Sequence, residues 1–152
     1  MEDIATQLKL ENQICFPLYA VSRLVIQQYK PLLDKLGVTY PQYLVLLVLW
    51  EKEEVPVKEI SQKLFLETNT LTPILKRMQS NGIVERKRSK TDERVVIISL
   101  TPKGRELHNK AIEIPNKLIE KLDCFSTEED VFLIKRILDK ILYNPENKES
   151  YG

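Results

Sequence analysis

The chain is expected to be mainly α-helical with one small β-hairpin, and three observations in its sequence point there. First, Asn69, Thr72, Lys76 and Ser80 share one side of a 3.6-residue helical period while Leu71, Ile74, Leu75 and Met78 share the other, as in a capped helix with an apolar anchor. Second, Asn81-Gly82 closes that helix, since glycine takes the left-handed conformation a helix end commonly needs. Third, the period then changes: Ile83 to Arg88 and Val95 to Leu100 read as two strands around the polar tip Ser89 to Arg94. Helix, stop and basic hairpin in that order describe a winged helix-turn-helix.

The remaining elements follow from their own signals. Leu8 to Leu36 reads as one long helical segment or two, with Pro17 an obstacle: it disfavours helical geometry at Phe16, so the helix kinks or begins there. Thr39 to Trp50 is a helix whose Thr39 and Gln42 have capping-box spacing. Val57 to Leu64 is the first helix of the helix-turn-helix, and Phe65 to Glu67 its turn. After the hairpin, Thr101 caps a helix with Pro102 at its first position, and Pro115 threatens its continuity toward Leu122. Ser126 and Glu129 have capping-box spacing ahead of a last helix with Val131, Ile134, Leu138 and Leu142 on one stripe. The polar tail from Asn144 is expected to fray. One compact protomer results: a helical dimerisation region over 1–36, the winged helix-turn-helix over 37–104, and a second helical dimerisation region over 105–152.

Composition sets outer limits. With 152 residues, 43% hydrophobic and 30% charged, the chain can bury one core. The first thirteen residues carry acidic groups and no long apolar run, so neither a secretion signal nor a membrane span is expected, and the cytoplasm is. Two cysteines, Cys15 and Cys124, make neither a disulfide framework nor zinc spacing; no metal and no cofactor are implied. His108 sits in a polar helical stretch without a nucleophile partner and is read as surface.

Charge is informative only locally. The whole chain is +1, yet Lys76, Arg77, Arg86, Lys87, Arg88, Lys90 and Arg94 face only Glu85, Asp92 and Glu93, a surplus of four within nineteen residues. One basic stripe on a nearly neutral protein fits a nucleic-acid footprint; taken alone, it also fits a solvated charged hairpin. On the first reading Thr68, Asn69, Thr70, Thr72, Pro73, Lys76 and Arg77 present the helix to DNA, and Arg86, Lys87, Arg88, Lys90, Asp92 and Arg94 form the wing. Asp92 can pair with Arg94 to shape the hairpin tip, or Arg94 can enter a minor groove.

Relative to Cys15, Tyr19 and Tyr29 lie 4 and 14 positions on, within one narrow stripe of a helix. Fourteen residues span roughly 21 Å, so Cys15 can meet Tyr29 only across a dimer. A phenol donating to a thiolate would stabilise it. The competing reading makes Cys15 a buried small hydrophobe among ordinary interface aromatics.

Thr91-Asp92-Glu93-Arg94 followed by Ser99-Leu100-Thr101-Pro102-Lys103-Gly104 resembles the wing signature of the MarR family of bacterial winged-helix regulators. Leu10 to Phe16, Tyr29 to Leu33 and Leu36 to Tyr43 resemble its organic hydroperoxide resistance subgroup. The resemblance implies a homodimeric repressor that binds a pseudo-palindromic double-stranded operator, with Arg94 contacting DNA. It also implies that Cys15 is a peroxide sensor hydrogen bonded by Tyr29 and Tyr40 with Tyr19 nearby, oxidised to a sulfenic acid and resolved by Cys124 or a small thiol. Two other functions stay open: a MarR-type repressor released by a phenolic or other small ligand, and a thiol peroxidase, which would leave the basic wing unexplained.

Overall fold

The computed structural model describes residues 4–122 and 127–145. A short helix α1 (Ile4–Gln7) and a 3-10 turn (Leu10–Asn12) lead into α2 (Cys15–Leu33), which ends in a second 3-10 turn (Asp34–Leu36). Leu8 to Leu36 is therefore not continuous, and the question raised by Pro17 has a simple answer. Helix α2 starts at Cys15, so Pro17 occupies its third position, where the missing N–H is one of the donors that a first turn leaves unused.

Helix α3 (Tyr40–Glu51) carries the expected capping box: the Thr39 amide donates to Gln42 Oε1 at 3.0 Å, and the Thr39 side chain accepts from the Gln42 amide. Apart from the outward Leu47, α3 is apolar nearly all round, and Tyr43, Val45, Leu46, Val48 and Leu49 are buried. Such a helix belongs at the centre of a core. Around it pack α4 (Val57–Leu64) and α5 (Thr68–Ser80), which contribute Ile60, Leu71, Leu75 and Met78.

The hairpin is β2 (Val84–Arg88) and β3 (Val96–Leu100), each beginning one residue later than the sequence suggested. A third strand, β1 (Glu54–Pro56), was not anticipated; three residues are too few to show a period. It pairs antiparallel with β3, Val55 opposite Ile98, giving the order β1-β3-β2. The wing is thus tied to the core on the side of β3 away from β2.

Beyond the wing, Thr101 caps α6 (Pro102–Ala111) by accepting from the Gly104 amide at 3.1 Å. The chain breaks before α7 (Ile114–Leu122), and Pro115 stands at the second position of the new helix, so the expected interruption is real. Ser126 lies outside the described residues, as do Cys124 and the tail from residue 146. The cap on α8 (Glu128–Leu142) is Thr127, in a capping box with Asp130 rather than Glu129.

Among the described residues the exposed large apolar side chains concentrate on two helices, with Phe16, Leu18, Val21 and Leu24 on α2 and Phe132, Leu133, Ile137 and Ile141 on α8. The expected stripe on α8 is exposed with them at Ile134, Leu138 and Leu142. Among the described residues no single helix is long and apolar enough to cross a membrane.

Candidate functional site

Helix α5 buries Leu71, Leu75 and Met78 and turns Asn69, Lys76 and Ser80 outward, as its period predicted. Its start is not side-chain capped, however: Glu67 occupies the N-cap position without a capping hydrogen bond. Within that first turn the Thr70 amide instead donates to the Glu67 carbonyl at 3.0 Å. Thr72 and Ser80 turn their hydroxyls back onto the carbonyls of Thr68 and Lys76, at 2.7 and 3.1 Å. Thr70 and Pro73 are exposed alongside, and Lys76 and Arg77 form no ion pair among the described residues.

The turn between α4 and α5 is made by Phe65 at φ 52°, a conformation unusual for a bulky side chain. The Ser61 hydroxyl donates to the Leu66 carbonyl at 2.5 Å and holds the following residue in place. At the far end of α5, Gly82 at φ 69° lets the chain reverse into β2.

The wing tip is braced from within. Asp92 Oδ1 accepts from the Arg94 amide at 3.0 Å and from Arg94 Nε at 3.2 Å, while the Arg94 side chain stays 92% exposed. Both roles foreseen for Arg94 are therefore compatible, because one carboxylate oxygen aims the guanidinium without covering it. Arg88 donates to the Glu93 carbonyl at 2.5 Å, Lys87 pairs with Glu85 at 2.6 Å, and Lys90 is exposed at the tip.

Between α4, the start of α5 and the wing runs an open groove of about 640 Å³, lined among others by Lys58, Thr68, Thr72, Arg86 and Arg94. It unites residues from three elements that sequence alone had placed only on two. Arg86 Nε is buried there with no hydrogen-bond partner. Lys58 was missed because a single lysine in the first turn of a short helix carries no local signal.

The second cluster lies at the junction of α2 and α3. Tyr29 packs on Tyr40 with ring centroids 4.8 Å apart and on Tyr43 at 5.8 Å. Burial, then the neighbouring phenols of Tyr40 and Tyr43, push the Tyr29 hydroxyl from the ordinary 10.0 up to about 12. Burial also raises Tyr40 and Tyr43. All three therefore remain protonated donors at neutral pH. A largely apolar pocket of about 350 Å³ opens beside Tyr40, lined also by Ile26, Gln27 and Pro41.

Cys15 is at the opposite end of α2 and exposed, so it is not a buried core residue of the protomer. Tyr19 shares its end of the helix; its hydroxyl accepts from Arg23 Nη1 at 3.2 Å, and the guanidinium stacks over the ring. The protomer thus separates Cys15 from Tyr29 and Tyr40. His108 is exposed as expected, but it also lies edge-on to Trp50 at 5.3 Å, a contact that only the fold could reveal.

Tyr29 carries a measurable consequence. An acid whose folded value lies above its ordinary one contributes stability that is complete below pH 10 and declines as pH rises toward 12. The denaturation midpoint should fall across that window and fall less steeply in Tyr29→Phe. Parallel curves for the two proteins would remove Tyr29 as the source.

The SarA/Rot transcriptional regulator family matches residues 27–111. The organic hydroperoxide resistance transcriptional regulator of Bacillus subtilis is 56% identical over 119 residues, which cover 78% of this chain and 81% of that one. The chain belongs to the organic hydroperoxide resistance group of MarR-type regulators. Two solved structures resemble this regulator along nearly its whole length. Reduced AbfR bound to DNA is 37% identical with a TM-score of 0.74, covering 90% of this chain and 94% of that one. Disulfide-formed AbfR is 36% identical with a TM-score of 0.64, covering 91% and 96%. This regulator, like the proteins it matches, is a DNA-binding transcriptional regulator with a winged helix.

Proposed function

We propose that the protein is a cytoplasmic, homodimeric repressor that releases its operator when an organic hydroperoxide oxidises Cys15. The observation that carries this reading is the separation of an exposed thiol from a cluster of protonated tyrosines on one helix, within a chain so similar to a hydroperoxide regulator. Roughly 21 Å of helix keeps them apart within a protomer, so a two-fold pairing of α2 helices is what brings Cys15 of one copy to Tyr29 and Tyr40 of the other. The bare faces of α2 and α8 supply the apolar surface for that pairing, with the segments 1–36 and 105–152 as the dimer-forming regions.

The chemistry balances simply. The Cys15 sulfur attacks the terminal peroxide oxygen, the O–O bond breaks, and the alcohol leaves as Cys15 becomes a sulfenic acid. A thiol then displaces water from that acid and forms a disulfide; Cys124 or a small thiol can supply it. Each oxidation consumes the sensor once, which suits a switch rather than a turnover enzyme.

On DNA, α5 of each protomer enters a major groove while Arg94 reaches the neighbouring minor groove, and two protomers demand a pseudo-palindromic operator. The basic residues from Lys76 to Arg94, with Thr68, Asn69, Thr70, Thr72 and Pro73 ahead of them, form the contact surface. The greater likeness to reduced, DNA-bound AbfR than to disulfide-formed AbfR supports this as the DNA-gripping arrangement.

Fluorescence anisotropy on a duplex from the protein's own upstream region, at fixed salt, tests the reading. Cumene hydroperoxide should release wild type and leave Cys15→Ser bound. Release of both proteins, or of neither, would defeat Cys15 sensing; release of both by a phenolic ligand would favour a ligand-operated repressor.

A further inference from the structure

We propose that Trp50 is a positioning residue that ties the tyrosine cluster to the root of the wing. Helix α3 carries Tyr40 and Tyr43 in its first turns and Trp50 near its last, about 15 Å along the same rod from Tyr40 and about 10 Å from Tyr43. The aromatic contacts are continuous: Tyr29 meets Tyr43 at 5.8 Å, Tyr43 meets Trp50 at 6.2 Å, and Trp50 meets His108 of α6 at 5.3 Å. Trp50 Nε1 also donates to the Gly104 carbonyl at 3.1 Å.

Gly104 is where three elements are fastened together. A Cβ built there would stand 2.3 Å from the Ile83 carbonyl oxygen, so α6 rests directly on the backbone entering β2. The Thr101 hydroxyl donates to the Gly82 and Ile83 carbonyls at 2.6 and 3.0 Å, and Lys103 Nζ donates to the Asn81 carbonyl at 2.8 Å. The end of the DNA-facing helix, the start of the wing and the first turn of α6 therefore move as one piece. Any displacement of α3 must either carry Gly104 with it or break the bond from Trp50. Close-packed junctions of this kind switch between discrete arrangements rather than stretch.

The inference deepens the proposed function and rests on the reading that Tyr29 and Tyr40 respond to Cys15. A tryptophan that merely fills space would satisfy its N–H in the same way, so the test must read coupling rather than stability. Trp50 is the one tryptophan in the chain and reports on itself.

In the full-length dimer, cumene hydroperoxide should shift Trp50 emission to the red as Cys15 is oxidised, with no shift in Cys15→Ser. Emission that stays constant while wild type releases its duplex overturns the inference. Trp50→Phe keeps a ring and loses the donor. By mass spectrometry its Cys15 should oxidise at the wild-type rate, while the ratio of reduced to oxidised operator affinity falls by about fivefold or more. An unchanged ratio in a folded variant overturns the inference alone; should the variant fail to fold, the emission measurement still decides. Wild type that holds its duplex with Cys15 fully oxidised defeats the sensing reading and this inference with it.

Discussion

Gly104→Ala is expected to destabilise the protein by about 3 kcal/mol, although alanine is ordinarily the better helix former by about 1 kcal/mol. The added methyl would stand 2.3 Å from the Ile83 carbonyl oxygen and 2.9 Å from a Leu100 methyl, and the first of these is backbone that cannot rotate away. Overpacking therefore outweighs propensity. Gly82→Ala makes an informative companion. A Cβ at Gly82 meets nothing within 4 Å, so its only cost is the left-handed conformation at φ 69°, about 1 kcal/mol. Thermal denaturation of both variants checks the difference, with Gly104→Ala melting roughly 6–12 °C below wild type and Gly82→Ala roughly 2–4 °C below it. Equal losses would mean that α6 can slide off the wing root without penalty. Because the Gly104 carbonyl is also the acceptor for Trp50, the folded fraction of Gly104→Ala should bind the operator more weakly than Gly82→Ala does.

Arg94→Ala should produce the largest loss of DNA affinity for a single side chain. Its guanidinium is exposed at the wing tip and aimed by Asp92, so the ordering cost of reaching into a groove is already partly met within the fold. A dimer offers two copies per operator. With about 1–3 kcal/mol for each well-placed arginine, affinity should fall roughly 25-fold or more, and the slope of log affinity against log salt should flatten by about 2. Asp92→Ala separates aim from charge: it adds net positive charge to the wing but frees the arginine and removes the acceptor for the Arg94 amide. Salt-dependent anisotropy should show weaker binding for Asp92→Ala despite its added charge. Tighter binding would show that charge alone matters at the tip and that the brace is incidental.

The comparison of sequence with structure divides along the range of the interactions. Elements set by neighbouring residues were legible: the Thr39 and Gln42 capping box, the Thr101 cap with Pro102 behind it, the Gly82 reversal, and the two-sided period of α5. The Asp92 to Arg94 brace spans two residues and was legible for the same reason. What depended on distant partners was not. Strand β1 exists because β3 lies beside it, and the role of Trp50 depends on a carbonyl fifty-four residues away. The groove collects Lys58, Thr68, Arg86 and Arg94 from separate parts of the chain. The interruption before α7 could be suspected from Pro115, but where α2 begins could not be decided between a kink and a start. Capping of the last helix was expected one residue too early because Ser126 and Thr127 offer the same chemistry to adjacent registers.

The uncovered helices α2 and α8 carry a consequence for dilution. A protomer that leaves Phe16, Leu24, Phe132, Leu133 and Ile141 against water gains its remaining stability only by meeting another copy, so its concentration enters its unfolding equilibrium. Melting temperature should therefore climb with protein concentration, and a chain made in small numbers spends its first moments as the species that proteases remove most easily. Scarcity and assembly then set a floor on how little of this protein a cell can usefully keep.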